Sequence, residues 1–259
     1  MIKPGRVRVR AAATAGLLLT LVLAGCGSNG AVGRSVLPSI SPSGPPLRYV
    51  AIGASETVGI GADDPLTEAW PQLFYRVALP RAAVFVNLGI PGATVQDALS
   101  QEVPDALALR PDVVTVWLNV NDLLHGVDPA AYEAGLTQLL TDLRGGGRTQ
   151  VLVANTPPLD RLPAYVRCSP FAPGLGGSCD RSIDLPPSAV RSAVDAYNAA
   201  IGRAAGRTGA VVVDLHALGL AARADGTEAH LISRDGFHPS DAGHVSVALA
   251  FATAYQRLR

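Results

Sequence analysis

The sequence predicts a three-layer α/β/α sandwich around a central parallel sheet of about five strands. Short, almost continuously apolar runs alternate five times with longer segments in which apolar residues recur every three or four positions. Apolar runs of this kind are typical of strands buried on both faces, and their alternation with helices is typical of parallel sheets. The length of 259 residues and the hydrophobic content of 48% suit one well-buried domain.

The first predicted strand covers residues 47–52 and leads into a Gly-Ala-Ser turn. Its sequence is mostly apolar and β-prone, with prolines before it and Gly53 after it. Ligands of parallel α/β sheets bind at the carboxyl edge, so Ser55 follows the strand where a nucleophile would be placed. Serine is also a common cap and turn residue, and the turn alone leaves both interpretations open.

Four further strands are predicted from apolar runs at residues 83–87, 112–118, 151–154 and 211–214. Helices are predicted to begin at Trp70-Pro71, Thr94, Asp128-Pro129, near Val190 and after His238. The helix that begins at Thr94 is expected to run through Val103. The segment from Asn155 to Pro187 is expected to be irregular.

The residues before the first strand predict export. Residues 1–25 combine a basic start with an apolar stretch too short to span a bilayer comfortably. This segment runs into Leu23-Ala24-Gly25-Cys26, which resembles a bacterial lipobox and implies a lipid on Cys26 and anchoring to the outer face of the cell membrane. The alternatives are an ordinary signal peptide or an uncleaved anchor. Residues 26–46 are rich in Gly, Ser and Pro and predict a flexible tether, so the folded domain is assigned to residues 47–259.

Charge and motif content exclude two functional classes. The chain has 21 basic and 21 acidic residues, and loss of the four basic residues in 1–25 leaves a net charge of −4 and no lysine. No basic patch for nucleic acid remains. The glycines after the first strand do not form G-x-G-x-x-G, and no P-loop lysine exists, so a nucleotide cofactor is not expected.

Four short blocks contain the candidate functional residues. They are Gly53-Ala54-Ser55, Asn87-Leu88-Gly89, Asn119-Val120-Asn121-Asp122 and Asp235-Gly236-Phe237-His238. In this order they resemble the SGNH hydrolases, the GDSL-type esterase and lipase superfamily, over nearly all of the chain from Leu47 onward. The resemblance implies a flavodoxin-like sheet and a serine esterase that needs no metal or cofactor and acts on carboxylic esters of lipids, acylated glycans or small acyl groups.

The resemblance also implies a role for each residue. Ser55 is the nucleophile, His238 is the general base, and Asp235 orients His238. The oxyanion hole consists of the N–H groups of Ser55 and Gly89 and the side-chain amide of Asn121. The alternative is that these residues only form turns and helix caps, with Asp235 capping the final helix.

Three positions depart from the family pattern. Ala54 stands where aspartate is usual, Glu56 where leucine is common, and Asn119 where glycine is usual. Loss of the aspartate removes a supporting hydrogen bond, whereas a side chain at position 119 is expected to narrow the cleft or add a donor. Asp214, at the end of the last strand, is the reserve candidate for orienting His238.

The remaining histidines and cysteines are expected to be structural. His244 lies within the last helix, and the spacing of the others does not indicate a metal site (His125, His216 and His230). Cys168 and Cys179 are an even pair in an exported domain, which favours a disulfide.

Two alternative functions remain open at this stage. An acyltransferase would use the same residues and pass the acyl group to an alcohol. A surface binding protein would keep the fold without turnover, with Ala54 and Asn119 as signs of drift. The sequence leaves the oligomeric state open.

Overall fold

The structure, a computed structural model, describes residues 44–168 and 185–258. Several predictions from the sequence fall outside these ranges. They are the signal segment 1–25, the lipidation site Cys26 with most of the tether, and Cys179. Cys168 is the last residue of a helix, and its side chain is not described.

All five strands lie in one parallel sheet, as predicted. The strands are β1 (Arg48–Gly53), β2 (Val84–Asn87), β3 (Val113–Trp117), β4 (Gln150–Ala154) and β5 (Val211–Val213). Their order across the sheet is β2-β1-β3-β4-β5. β1 is therefore an interior strand between β2 and β3, and the order of the strands reverses there. In sheets with this order, the crevice at the carboxyl ends of the strands beside the reversal is the usual ligand site.

Eleven α-helices surround the sheet in the described ranges. They are α1 (Ser55–Val58), α2 (Pro65–Glu68), α3 (Trp70–Ala78), α4 (Val95–Ser100), α5 (Glu102–Leu109), α6 (Val120–Leu124), α7 (Pro129–Arg144), α8 (Pro163–Cys168), α9 (Pro187–Thr208), α10 (Leu215–Ala224) and α11 (Asp241–Gln256). Short 3-10 turns lie at Gly145–Gly147 and Glu228–Leu231. None of the helices described is long and apolar enough to cross a membrane.

The helices form a layer on each face of the sheet. Alternate residues of the strands point to opposite faces, so Val50 and Val114 pack with α4, α5, α7 and α9. Tyr49 packs on the other face with α3 and α11. There the Trp70 ring stacks on Phe251 with their centroids 4.3 Å apart. The three-layer α/β/α sandwich predicted from the sequence is therefore confirmed.

The predicted helix from Thr94 through Val103 is wrong, because the chain forms two helices there. Thr94 caps α4 as expected, and its hydroxyl accepts a hydrogen bond from the Asp97 N–H. The first helix ends at Ser100, and α5 begins at Glu102. Pro104 explains the break. Proline has no backbone N–H, so inside a continuous helix it could not donate a hydrogen bond to the preceding turn, whereas the first turn of a new helix does not need this donor.

Five of the eleven described α-helices were not predicted from the sequence: the short helices α1, α2, α6 and α8, and the longer α10. α8 lies within the segment that was expected to be irregular. α10 has Gly219 near its middle, which weakens the helical signal. The structure explains this glycine, since a Cβ atom at position 219 would lie 2.5 Å from the Pro158 side chain. The close approach of α10 to the loop after β4 therefore requires glycine.

Candidate active site

Ser55 lies just after β1, at the start of α1. The turn is tight, because a Cβ atom at Gly53 would lie 2.1 Å from Thr57 Oγ1 and 2.8 Å from the Trp117 carbonyl oxygen. Ser55 is 8% exposed. Within residues 44–168 and 185–258, no group accepts a hydrogen bond from its backbone N–H. The turn thus presents a nearly buried hydroxyl group beside an unused donor.

The structure brings the three predicted triad residues into one hydrogen-bonded chain. His238 Nε2 lies 2.9 Å from Ser55 Oγ, and the two residues are 183 positions apart in the sequence. His238 Nδ1 lies 2.5 Å from Asp235 Oδ2. The imidazole is buried. This order of atoms is the arrangement that general-base activation of a serine requires.

A tight turn before α11 places the Asp235 carboxylate beside the imidazole. Asp235 Oδ1 accepts hydrogen bonds from the Ser233 hydroxyl at 2.7 Å and from the backbone N–H groups of Phe237 at 2.7 Å and His238 at 3.0 Å. Gly236 has a φ of 79°, a left-handed conformation that glycine adopts without strain. The spacing of three residues between acid and imidazole therefore works because the acid side chain organises its own turn.

These hydrogen bonds also keep Asp235 ionised. Burial raises the pKa of the carboxyl, but the hydrogen bonds from His238, Phe237 and Ser233 outweigh it and lower the pKa to about 2. A carboxylate at this position holds the proton of the imidazole on Nδ1. Nε2 is then free to accept the proton of Ser55.

Asn121 lies in α6, the short helix that follows β3, and its side chain reaches the loop between β2 and α4. Its Nδ2 donates a hydrogen bond to the Ala93 carbonyl at 2.9 Å and has a second hydrogen. The neighbouring Asp122 accepts from the Val95 N–H at 3.1 and 3.2 Å. Burial raises the pKa of Asp122 to about 6, although the Val95 hydrogen bond acts against this rise. Together these bonds fix the third sequence block against the start of α4.

The N–H of Gly89, which the sequence assigned to the oxyanion hole, already has a partner. It donates to Asn87 Oδ1 at 3.0 Å, and Asn87 Nδ2 in turn donates to the Thr57 carbonyl at 2.7 Å. Sequence reasoning did not consider Gly92, whose N–H has no acceptor in the described part of the chain. Gly92 has a φ of 83° and precedes Ala93, to which Asn121 is bonded. The Pro91-Gly92 pair was the available signal, since it is typical of a type II turn.

The three departures from the family pattern have different surroundings. Ala54 is buried in the hydrophobic core. Asn119 is 2% exposed, and its amide donates to the Ala154 carbonyl at 3.3 Å. This side chain therefore braces the ends of β3 and β4, and the expectation that it narrows the cleft is wrong. Glu56 Oε2 lies 3.4 Å from Ser55 Oγ, so a carboxylate borders the candidate nucleophile.

Asp214, the reserve candidate, has other partners. It accepts hydrogen bonds from Asn155 Nδ2 at 2.8 Å and from the Ala217 N–H at 2.9 Å, which caps α10. His244 is fully buried, and its Nδ1 accepts from the Trp70 N–H at 3.2 Å. Burial lowers the pKa of His244 to about 4. Among the residues that the structure describes, no three His, Cys, Asp or Glu side chains gather as metal ligands would.

The structure combines a parallel α/β sheet with hydrogen-bonded Ser, His and Asp side chains at the carboxyl edge of that sheet. This combination is the architecture of a serine hydrolase. The sequence profile of the GDSL-like lipase/acylhydrolase family matches residues 51–245. The chain belongs to this family and is an ester hydrolase of the SGNH type. No protein of curated function matches it by sequence.

Solved structures share the fold at low sequence identity. TesA is 19% identical, with a TM-score of 0.60 over 82% of this chain and 99% of TesA. LAE5, an α/β hydrolase from the metagenome of Lake Arreo, Spain, is 23% identical, with a TM-score of 0.59 over 85% of this chain and 99% of LAE5. The esterase EstA from Pseudoalteromonas sp., in a structure inhibited by monoethylphosphonate, is 16% identical, with a TM-score of 0.56 over 82% of this chain and 98% of EstA. These similarities establish the fold.

Proposed function

We propose that the chain is an exported serine esterase that hydrolyses carboxylic esters through an acyl-enzyme on Ser55. The observation that carries this proposal is the chain of hydrogen bonds from Ser55 through His238 to Asp235, with distances of 2.9 and 2.5 Å. The family match supports the reaction class. A relation in fold to an acetyl xylan esterase, AlAXEase, is consistent with it.

In the first half of the reaction, Ser55 Oγ attacks the ester carbonyl while His238 Nε2 takes the hydroxyl proton. The tetrahedral intermediate then collapses, and His238 returns this proton to the departing alcohol oxygen. In the second half, His238 takes a proton from water while the water oxygen attacks the acyl carbon. The bond from that carbon to Ser55 Oγ then breaks, His238 returns the proton to Ser55 Oγ, and the acid is released. Asp235 stays ionised throughout and stabilises the imidazolium, because its pKa is about 2.

The developing oxyanion needs donors that are in place before the reaction. The Ser55 N–H is unused, and Asn121 Nδ2 keeps one hydrogen beyond its bond to Ala93. Gly89 contributes its N–H only when its bond to Asn87 Oδ1 opens. Gly92 has no such bond to break and lies in the turn that Asn121 contacts, so it is a further candidate for the third donor.

Export and lipid anchoring are part of the proposal and rest on residues 1–46. The order of basic start, apolar stretch and Leu23-Ala24-Gly25-Cys26 predicts that a lipid is attached to Cys26. Cys26→Ser is expected to release or mislocalise the protein, measured by membrane fractionation and mass spectrometry of the N-terminus. A mature N-terminus elsewhere, with Cys26 unmodified, contradicts this part of the proposal.

The experiment that tests the catalytic proposal is labelling with a fluorophosphonate probe. Attack by an activated serine on such a probe forms a stable phosphonyl-enzyme, and the related EstA was inhibited by a phosphonate. The purified protein is expected to be labelled on Ser55, and Ser55→Ala is expected to abolish labelling. Absence of labelling on the folded protein, together with no ester hydrolysis, would favour a surface binding protein.

A further inference from the structure

Glu56 directly follows the candidate nucleophile and places a carboxylate beside it. The residue lies in the first turn of α1 and is 7% exposed, against 8% for Ser55. Its Oε2 lies 3.4 Å from Ser55 Oγ, within hydrogen-bond reach of the hydroxyl group. Because leucine is common at this position in the family, the reaction itself does not require this carboxylate. Its role is therefore a property of this chain.

The acyl group of the substrate comes within reach of this carboxylate. During acylation, a bond from Ser55 Oγ to the carbonyl carbon replaces the bond to the alkoxy oxygen, and the serine proton leaves with the alcohol through His238. A substituent on the carbon next to the carbonyl is then three bonds from Ser55 Oγ, at a distance of roughly 2.7–3.7 Å. Glu56 Oε2 lies at a similar distance from the same atom. A substituent that faces α1 therefore approaches the carboxylate to the length of a hydrogen bond.

The charge of Glu56 decides which substituent is favoured there. A negative charge this close to the reacting atoms opposes the oxyanion of the tetrahedral intermediate and repels an anionic acyl group. An apolar substituent removes water from the carboxylate and gives no hydrogen bond in return. An ammonium group donates charge-assisted hydrogen bonds to the carboxylate and offsets its charge beside the oxyanion. The position therefore suits a cationic substituent.

Two aromatic side chains near Glu56 also suit a cation. Trp117 and Phe237 line the same cavity as Glu56. The Phe237 ring contacts the His238 ring edge to face, with the two centroids 4.9 Å apart, so it lies beside the triad. Aromatic rings attract ammonium groups electrostatically through their faces. A carboxylate and two aromatic rings thus adjoin the candidate nucleophile from three separate segments of the chain.

We propose that Glu56 is a specificity-determining residue that favours esters with an ammonium group next to the scissile carbonyl, that is, α-aminoacyl esters. The inference rests on the proposed function. The ammonium group belongs to the acyl part, because this part stays bonded to Ser55 through both halves of the reaction. The alcohol, in contrast, leaves after the first half with the proton from His238. Glu56 Oε2 accepts a hydrogen bond from the ammonium group in both halves.

The test compares alanine methyl ester with methyl 2-methylpropanoate, in which a methyl group replaces the ammonium group. Hydrolysis is followed in a pH-stat at about pH 6.5, below the usual α-amino pKa of about 7.7–8.0. Glu56→Gln keeps the shape of the side chain and removes its charge. The ratio of kcat/KM for the cationic ester to that for the neutral ester is therefore expected to fall about 10- to 100-fold. Comparing ratios between variants cancels the different intrinsic reactivities of the two esters.

Glu228→Gln is the matched control. Glu228 lines the same cavity but forms an ion pair with Arg223 at 2.7 Å, so this variant removes the same charge at a distance from the candidate nucleophile. It is expected to leave the ratio unchanged. Glu56→Leu introduces the residue that is common in the family, and it is expected to lower the ratio while methyl 2-methylpropanoate is still hydrolysed. This variant also serves if Glu56→Gln fails to fold.

Two further measurements locate the cation. In the wild type, the ratio is expected to fall as the pH rises above about 8, because the ester loses its ammonium charge. Acetylcholine and 3,3-dimethylbutyl acetate differ by a cation in the alcohol part, and their ratio is expected not to respond to Glu56→Gln. An equal alanine ester ratio in the wild type and both Glu56 variants, or a response confined to acetylcholine, would overturn the assignment. Fluorophosphonate labelling of Ser55 would then still uphold the proposed function.

Discussion

The buried carboxyl group of Glu102 accepts a hydrogen bond from the backbone N–H of Gly53 at 2.8 Å. Glu102 begins α5, and Gly53 is the last residue of β1. The bond therefore ties a helix of one outer layer to the turn that presents Ser55. Burial raises the pKa of Glu102 to about 8; the Gly53 hydrogen bond opposes the rise, and the charge of Asp97 adds to it. The group is thus mainly protonated in the folded protein at neutral pH.

The burial of Glu102 predicts how stability depends on pH. Between about pH 4.5 and pH 8, the folded state keeps a proton on Glu102 that the unfolded state has released. The contribution of Glu102 to the free energy of unfolding therefore falls as the pH rises through this window, by at most about 1.4 kcal/mol per unit, and levels off above it. Glu102→Gln keeps an acceptor for Gly53 and removes the titration. Chemical denaturation at pH 5 to 8 is expected to show the variant gaining on the wild type, and parallel curves would contradict the assignment.

His244 predicts a second and opposite pH dependence. Its folded pKa is about 4, below the usual 6.5, so the unfolded chain takes up a proton first as the pH falls. The stability that this neutral imidazole contributes is present above about pH 6.5 and is lost toward pH 4. His244→Gln is expected to show less loss of stability over this range than the wild type, measured by thermal melting. His230→Gln, at an exposed site, is the control and should follow the wild type.

The triad assignment predicts large and non-additive losses of turnover. Ser55→Ala and His238→Ala are each expected to lower kcat by roughly 10⁴- to 10⁶-fold, and their double variant should be scarcely worse than either. Asp235→Ala should cost less, because both reagents remain. If these residues were only caps and turns, the variants would lose about 1 kcal/mol of stability and keep near-normal turnover. Ester hydrolysis and melting, measured on the same samples, separate the two outcomes.

The oxyanion role of Asn121 predicts a change in kcat more than in KM. Asn121→Ala is expected to lower kcat about 10²- to 10³-fold, because the amide meets a charge that exists only near the transition state. The same change also removes the bond to Ala93. Melting of the variant therefore serves as the control for a loose turn. A matching rise in KM with little change in kcat would instead indicate a role in substrate binding.

A disulfide between Cys168 and Cys179 remains a prediction from the sequence. Closing so short a loop is expected to contribute roughly 3 kcal/mol if the bridge is unstrained. Mass spectrometry of the exported protein without reductant should find the pair oxidised, and reduction should lower the melting temperature. Two free thiols in that sample would rule the bridge out.

The sequence by itself determined the layers of the fold and the short-range parts of the site. Apolar runs such as Val113–Trp117 are buried on both faces, and therefore they identify strands without reference to any partner. The periodicity of α7, α9 and α11 records which side of each helix is buried. The contact between Asp235 and His238 was also predictable, because the turn that makes it is local.

Only the tertiary structure decided the contacts between distant segments. The hydrogen bond that the Gly53 N–H donates to Glu102 and the bond from the Asn119 amide to the Ala154 carbonyl depend on how strands and helices pack. The bond from Asn87 Nδ2 to the Thr57 carbonyl depends on the same packing. The close approach of Gly219 in α10 to Pro158 is likewise a contact between segments far apart in the sequence. Local patterns report whether a residue is buried, whereas the partner of a buried polar group is set by long-range packing, which a single sequence does not encode in any nearby spacing.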